Sequence, residues 1–435
     1  MTLKLRRLKI NKLCFGSRMI IFVILWNMIA AIGIGFFHLP KSILYFTDLL
    51  NVLLFLNTIY LQYNQKKFKW NSVIFCMIMF FLFSVISAIA NGVSPLLILW
   101  GFRQNIRYFI FFYSCVEYFD NKVLEIILKC IQIVFWVSLP LCMYEALFVH
   151  YPVGTIIGDM VGGIFYRTGS ANGPLNVILV LYVSYVMIKF FSNECSLKYT
   201  LLTIVVGMYM AILAELKLFL VEMVIISLFV MCTNKVGWKT ILLILLGLVG
   251  LNLVVVMFVA INARGRSYYT NELFSLESMI EYATRTDGYD GVGDLNRFTA
   301  ISTLIEKFFK NDMVGLFFGY GLGSAEFSKS FSFLTSPFYQ NYSYLHYQYF
   351  SHAFIFIETG LVGLFSYFMI FISSLLKGFR VLKDSTCKNY YILMVLFMAF
   401  FVVYNTTMRD EFSAYLLFAL IAIPFSRRFN KKECI

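Results

Sequence analysis

The sequence predicts an all-α fold: one polytopic bundle, 1–435, of about twelve transmembrane helices with a single large extracytoplasmic loop. Three observations carry this expectation. Of the 435 residues, 60% are hydrophobic and only 14% are charged, with a mean hydropathy of +0.79. A soluble protein of this size needs a far more polar surface. Apolar runs of 18 or more residues recur along the chain, each long enough to cross a hydrocarbon core of about 30 Å. The ten-residue alternating pattern of an outer-membrane barrel is absent.

Spans are expected at about 19–38, 42–62, 72–91, 104–119, 123–148, 173–190, 199–215, 218–233, 239–262, 351–376, 390–407 and 411–426. The basic opening MTLKLRRLKINKLCFGSR precedes an apolar run with no small-residue cleavage site, so it reads as a tail before an uncleaved first span. Twelve spans place both termini on one side. That side receives about 23 of the 36 Lys and Arg, in the two termini and the connectors around Lys66-Lys67-Lys69, Lys122, Lys189, Lys235 and Lys377 to Lys388. The other side receives about 13, seven of them in the long loop, where the positive-inside bias counts least. Both termini are therefore expected in the cytoplasm, and the loop on the outer side of the membrane. The net charge of +13 is this bias, not a nucleic-acid surface. Arg103 and Arg107 are expected just outside the fourth span or in a broken helix. The stretch 199–233 is read as two crossings, because a single one would reverse every later connector. The nine Cys are scattered without a CxxC pair and read as apolar helix residues.

The loop, 263–350, concentrates the polar residues. Between Asn262 and Phe350 lie seven Lys and Arg and nine Asp and Glu. Within it DLNRFTAISTLIEKFFKND predicts an amphipathic helix near 295–310, capped by Asp294, with Phe298, Ile301, Ile305 and Phe308 on one face lying along the membrane surface. A glycine turn, FGYGLGS, follows; at Gly321 and Gly323 its backbone can approach a partner closely. The aromatic run SFSFLTSPFYQNYSYLHYQYF suits a membrane interface or a sugar-stacking surface.

Candidate chemistry rests on a few ionisable side chains. Lys217 sits among apolar residues between Glu215 and Glu222; a charge at that depth faces the bundle interior or snorkels to its edge. Arg167, in the turn-rich GIFYRTGSANGPLN, suits a phosphate, or simply solvent. Arg297 adjoins the apolar stripe of the loop helix. His352, at the start of the tenth span, suits proton abstraction, the alternative being an interfacial histidine bonded to backbone. His346 lies six residues earlier and competes for that role. Glu358 lies six residues after His352, at a depth where a carboxylate needs a partner. There is no HExxH, no outer DxD and no Walker A motif, so the site is read without metal, nucleotide or other cofactor.

Four patterns occur in a fixed order: R-T-G-S-A-N-G-P-L-N before a span, a basic residue between two short spans, N-R…G-Y-G-L-G-S in the outer loop, and S-H-A-F-I-F-I-E-T-G-L-V-G-L opening the next span. This order resembles the O-antigen polymerase (Wzy) and O-antigen ligase superfamily of bacterial inner-membrane glycosyltransferases. The resemblance covers about 160–370, and the span count and late outer loop extend it. It implies a donor glycan on undecaprenyl pyrophosphate, basic residues at the pyrophosphate and a loop histidine as general base. Matched by motif, Arg297, Arg167 and Lys217 hold the pyrophosphate, and His352 is the base. The ligases usually carry Arg where Lys217 stands, and about nine residues between His and Glu where this chain has six. The loss is about one helical turn, which keeps a similar face. The resemblance thus implies a polysaccharide polymerase, with the lipid bilayer, a flippase and a chain-length regulator of the same pathway as partners. A ligase acting on lipid A-core, or a lipid-linked oligosaccharide flippase, are the alternatives.

Overall fold

The computed structural model describes residues 13–66, 68, 70–152, 157–168, 171–233, 293–328, 331–426 and 428–429. Among them the chain is all-helical. Seven helices are long and apolar enough to cross a membrane: Phe15–Phe37, Lys41–Asn64, Ser72–Ala90, Asn121–Leu147, Asn172–Phe191, Ser351–Val381 and Ser385–Tyr404. The expected span 239–262, the loop residues 263–292 and the side chain of Lys217 lie outside the described residues.

Helices α1 (Phe15–Phe37), α2 (Tyr45–Asn64) and α3 (Ser72–Ala90) open the chain, followed by α4 (Pro95–Tyr118) and α5 (Asn121–Leu147). Then come α6 (Asn172–Phe191), α7 (Leu197–Leu213) and α8 (Lys217–Thr233). Their starts follow local chemistry. The Asn71 side chain accepts from the Ile74 amide, Asp120 from Val123 and Ser196 from Tyr199, while Pro95 opens α4. Residues 199–233 form two helices, parted by a turn in which Glu215 takes a left-handed φ of 50°.

The fourth helix departs from expectation. It begins at Pro95, nine residues before position 104, and is unbroken through Arg103 and Arg107. Both arginines are carried inside it because partners are supplied. Arg103 pairs with Asp48 of α2, and Arg107 Nη1 lies 2.6 Å from Glu411 Oε1. A helix can hold charge at this depth only with such pairing.

After residue 293 a compact cap precedes the last helices. It holds α9 (Ala300–Leu304, continued by a π turn to Phe309), α10 (Met313–Phe318) and α11 (Pro337–Tyr342). Helices α12 (Ser351–Val381), α13 (Ser385–Tyr404) and α14 (Glu411–Ile421) close the chain. The loop helix starts after Thr299, so Asp294 does not cap it. It turns Ala300, Leu304 and Phe309 inward onto Phe356 and Ile357 of α12, and leaves Ser302, Glu306, Lys307 and Lys310 exposed. Of the stripe expected to lie on the membrane, Ile301, Ile305 and Phe308 are instead packed on the cap's own small core, while Phe298 stays exposed. The aromatic run also folds on itself: Phe338 meets Tyr342 at 4.9 Å and Tyr347 at 5.4 Å, and Phe308 meets Tyr342 at 4.8 Å between ring centres. Part of it is a core, with Phe331, Phe333, Tyr344 and Tyr349 left outside.

The connectors sort into two ends. At one end Lys41 donates to Thr168 O (2.7 Å), Ser351 to Asn405 O (2.7 Å), and Arg409 pairs with Glu326 (2.6 Å). At the other, Ser17 donates to Tyr118 O (2.7 Å), Ser426 to Phe119 O (2.6 Å), and Ser192 bonds Thr386 (2.9 Å). Residues 38–44, 157–168, 293–328, 331–350 and 405–410 thus share an end, which is also where the described candidate residues gather.

The cap locks to the bundle through the glycine turn. α12 breaks at Gly360 (φ 61°), and the backbone at Phe317 and Phe318 fills the place a Cβ there would need. Gly321 (φ 97°) lies flat on the Ala88 backbone of α3. The amides of Tyr320 and Gly321 donate to the carbonyls of Ile357 and Glu358, and Leu322 N donates to Ser84 O. A side chain at 321 meets both a forbidden φ and a backbone neighbour. Gly321→Val is expected to lower stability by about 3 kcal/mol or more. Thermal unfolding in detergent checks this, and an unchanged midpoint would contradict the packing of the turn.

Candidate functional site

The site is built from four chain segments that are far apart in sequence. Arg297 precedes α9, and its carbonyl is gripped by the His352 ring, with Nε2 2.9 Å from Arg297 O. The other ring nitrogen, Nδ1, faces Val402 O at 3.3 Å. His352 is buried at the start of α12. A neutral imidazole has one N–H, so one nitrogen donates and the other turns its lone pair on a carbonyl. In this geometry His352 binds backbone and holds Arg297 in place; it does not present a ring nitrogen to the surface. The general-base expectation therefore meets the interfacial alternative.

The Arg297 guanidinium lies 4.3 Å from the ring centre of Tyr404 and 5.7 Å from that of Phe350. These faces orient the cation and shed part of its water. Next to Tyr404, the turn 405–407 meets the N-terminus of α6. A Cβ at Gly173 would stand 3.4 Å from Thr407 Oγ1 and 3.8 Å from Asn405 Nδ2. One turn into α6, Asn176 donates to Glu222 of α8 (3.0 Å). The structure therefore brings the Gly-Pro-Leu-Asn segment, Arg297 and His352 to the turn 405–407.

Arg167 stands apart from these contacts. It is exposed, with a left-handed φ of 56°, and lies 4.9 Å over the Tyr166 ring. Its loop is fixed from below by the buried Glu145 carboxylate, which accepts from the amides of Gly162 (2.7 Å) and Gly163 (3.1 Å). His346 is half-buried in a left-handed conformation (φ 53°), stacked on Tyr349 at 5.3 Å.

Glu358 repeats the Glu145 arrangement. Its buried Oε1 accepts from the amides of Gly323 (2.9 Å) and Ala325 (3.3 Å). A carboxylate withdrawn from water needs such donors, and two amides supply them. Glu358, Gly321 and Gly323 thus form one structural lock, which explains why the glycine turn and the ETG segment occur together.

An ionic network that sequence reasoning missed surrounds this lock. Arg409 pairs with Glu326, and its guanidinium lies against the face of Phe354, 3.3 Å from the ring centre. Burial pushes the Glu326 carboxyl above its ordinary value while Arg409 pulls the other way. Farther along are the pairs Arg103–Asp48 and Arg107–Glu411. The signal was present in MRDEF between two spans, where three adjacent charges have no surface loop to occupy.

Asp410 caps α14, accepting from the Phe412 amide (3.1 Å). Its pKa is raised to about 7, chiefly by burial and then by neighbouring Glu411, with bonds from Ser413 and Phe412 and the charge of Arg107 opposing the rise. The unfolded value is about 3.9. Folding therefore favours the protonated acid. This group's contribution is most favourable below about pH 4, declines as pH rises toward about 7, and is level above that. Asp410→Asn should flatten this part of the melting-temperature profile. A wild-type slope in the variant would assign it to another group.

The chain matches no protein-family model and no curated protein.

Proposed function

We propose that the protein is a polysaccharide polymerase that joins undecaprenyl-pyrophosphate-linked repeat units at the outer face of the bacterial cytoplasmic membrane. In this reading the bundle has about twelve spans with both termini in the cytoplasm, and the end holding the cap faces outward. One observation carries it most: residues from three of the four ordered motifs, Gly173, Arg297 and His352, dispersed along the sequence, converge at the turn 405–407.

The chemistry suits that cluster. An acceptor hydroxyl attacks C1 of the donor sugar, the C1–O bond to phosphate breaks, and its electron pair leaves with the pyrophosphate. Arg297 would meet the developing charge, with Arg167 and Lys217 as further cations. The acceptor proton passes to a histidine, His346 being the one on the cap surface. Aromatic rings beside Arg297 lower the local polarity and strengthen its hold on phosphate.

The same arrangement serves a ligase that transfers the glycan to lipid A-core. A flippase is disfavoured because the candidate cations gather at one end of the bundle, whereas a transporter lines a central path in both halves. The glycan banding pattern of a deletion strain tests the proposal. A polymerase leaves single-repeat product on the cell surface. A ligase leaves none there, and the glycan accumulates on its lipid carrier. An unchanged pattern removes both readings.

A further inference from the structure

We propose that α10, Met313–Phe318, is a lipid-embedded anchor that ties the cap to the outer boundary of the bilayer core. The helix exposes Val314 (71%), Met313 (62%) and Phe317 on one side. Its other side is fixed to the bundle. Phe318 meets the Phe83 ring at 5.9 Å, and Ser87 of α3 donates to Gly319 O at 2.8 Å. The exposed apolar side is therefore held in position by packing and is not a frayed end.

The level of α10 follows from α12. Below its break at Gly360, the segment 361–381 has 21 residues, about 32 Å of helix. That length alone spans a hydrocarbon core of about 30 Å. Gly360 thus marks one boundary of the core, and the α10 backbone abuts it. α3 runs alongside, with Phe80 and Tyr367 5.7 Å apart, so its last turns reach the same level. There α3 exposes Ile86 and Ile89. Met313, Val314 and Phe317 continue that apolar surface at the rim of the membrane.

The flank changes character abruptly. Lys307, Lys310, Asn311 and Asp312 are polar and exposed or capping, immediately before the apolar face. Cationic residues beside an apolar helix face suit the headgroup layer above acyl chains. The occupant is the bilayer itself. The element that meets the membrane is then α10, not the preceding helix at 300–309, whose outer face is polar.

The test uses the native chain in vesicles containing a phospholipid with a photoactivatable diazirine on its acyl chain. After photolysis, mass spectrometry locates the adducts. Residues 313–318 should be labelled as strongly as the exposed face of α3, and Ser302 to Lys310 much more weakly. Unlabelled 313–318 beside a labelled α3 overturns the anchor, whether water or protein covers the helix. The readout is independent of glycan synthesis, so it stands or falls apart from the enzymatic proposal.

Discussion

Arg297→Ala should abolish long glycan chains and leave single-repeat product. The expected loss of polymerisation rate is on the order of 100- to 1000-fold, the usual cost of removing one preorganised group from a developing negative charge. Three contacts make Arg297 more exacting than Arg167. Its guanidinium is oriented by Tyr404 and Phe350, and its backbone is held by His352. Arg167 has only the Tyr166 ring as a described contact and is exposed, so Arg167→Ala should cost less. Arg297→Lys keeps the charge but loses the planar fork that grips two phosphate oxygens and stacks on rings, and should restore only part of the activity. Chain-length distribution on gels, with membrane protein level measured in parallel, checks the series. Long chains at normal level in Arg297→Ala would remove its assigned role.

How legible this was in the sequence differs from element to element. Helix α5 was expected at 123–148 and runs Asn121–Leu147, because apolar length and the Asp120 cap are local signals. Helix α4 was misplaced for the opposite reason. Hydropathy counts Arg103 and Arg107 against a span, whereas the pairs with Asp48 and Glu411 come from segments 55 and 304 residues away. Gly321 and Glu358 were picked out by motif, but their joint role in locking the cap needs the break at Gly360, which no local pattern announces. Hydropathy assigns the apolar stripe of the loop helix to the membrane because the partner of Ile301, Ile305 and Phe308, the cap core around Leu345 and Tyr347, is assembled from later sequence.

Separating His352 from His346 gives the second large effect, since the two positions now predict different outcomes. His352→Ala removes the ring that contacts the Arg297 carbonyl and opens a buried space beneath it, and should lower activity by an amount approaching that of Arg297→Ala. His352→Gln can still place an amide N–H near that carbonyl, so a positioning role predicts substantial rescue with an unchanged pH–rate profile. A base at 352 predicts no rescue, because an amide cannot take a proton at neutral pH. For His346, stacked on Tyr349 at the cap surface, the expectation reverses. His346→Gln should lose most of the rate while leaving the melting temperature near that of the wild type. Rates of repeat-unit joining from pH 5.5 to 8.5 in purified membranes would decide it. If His352→Gln is inactive at full stability and His346→Gln stays active, the roles are exchanged. If both variants remain fully active, neither histidine moves the acceptor proton.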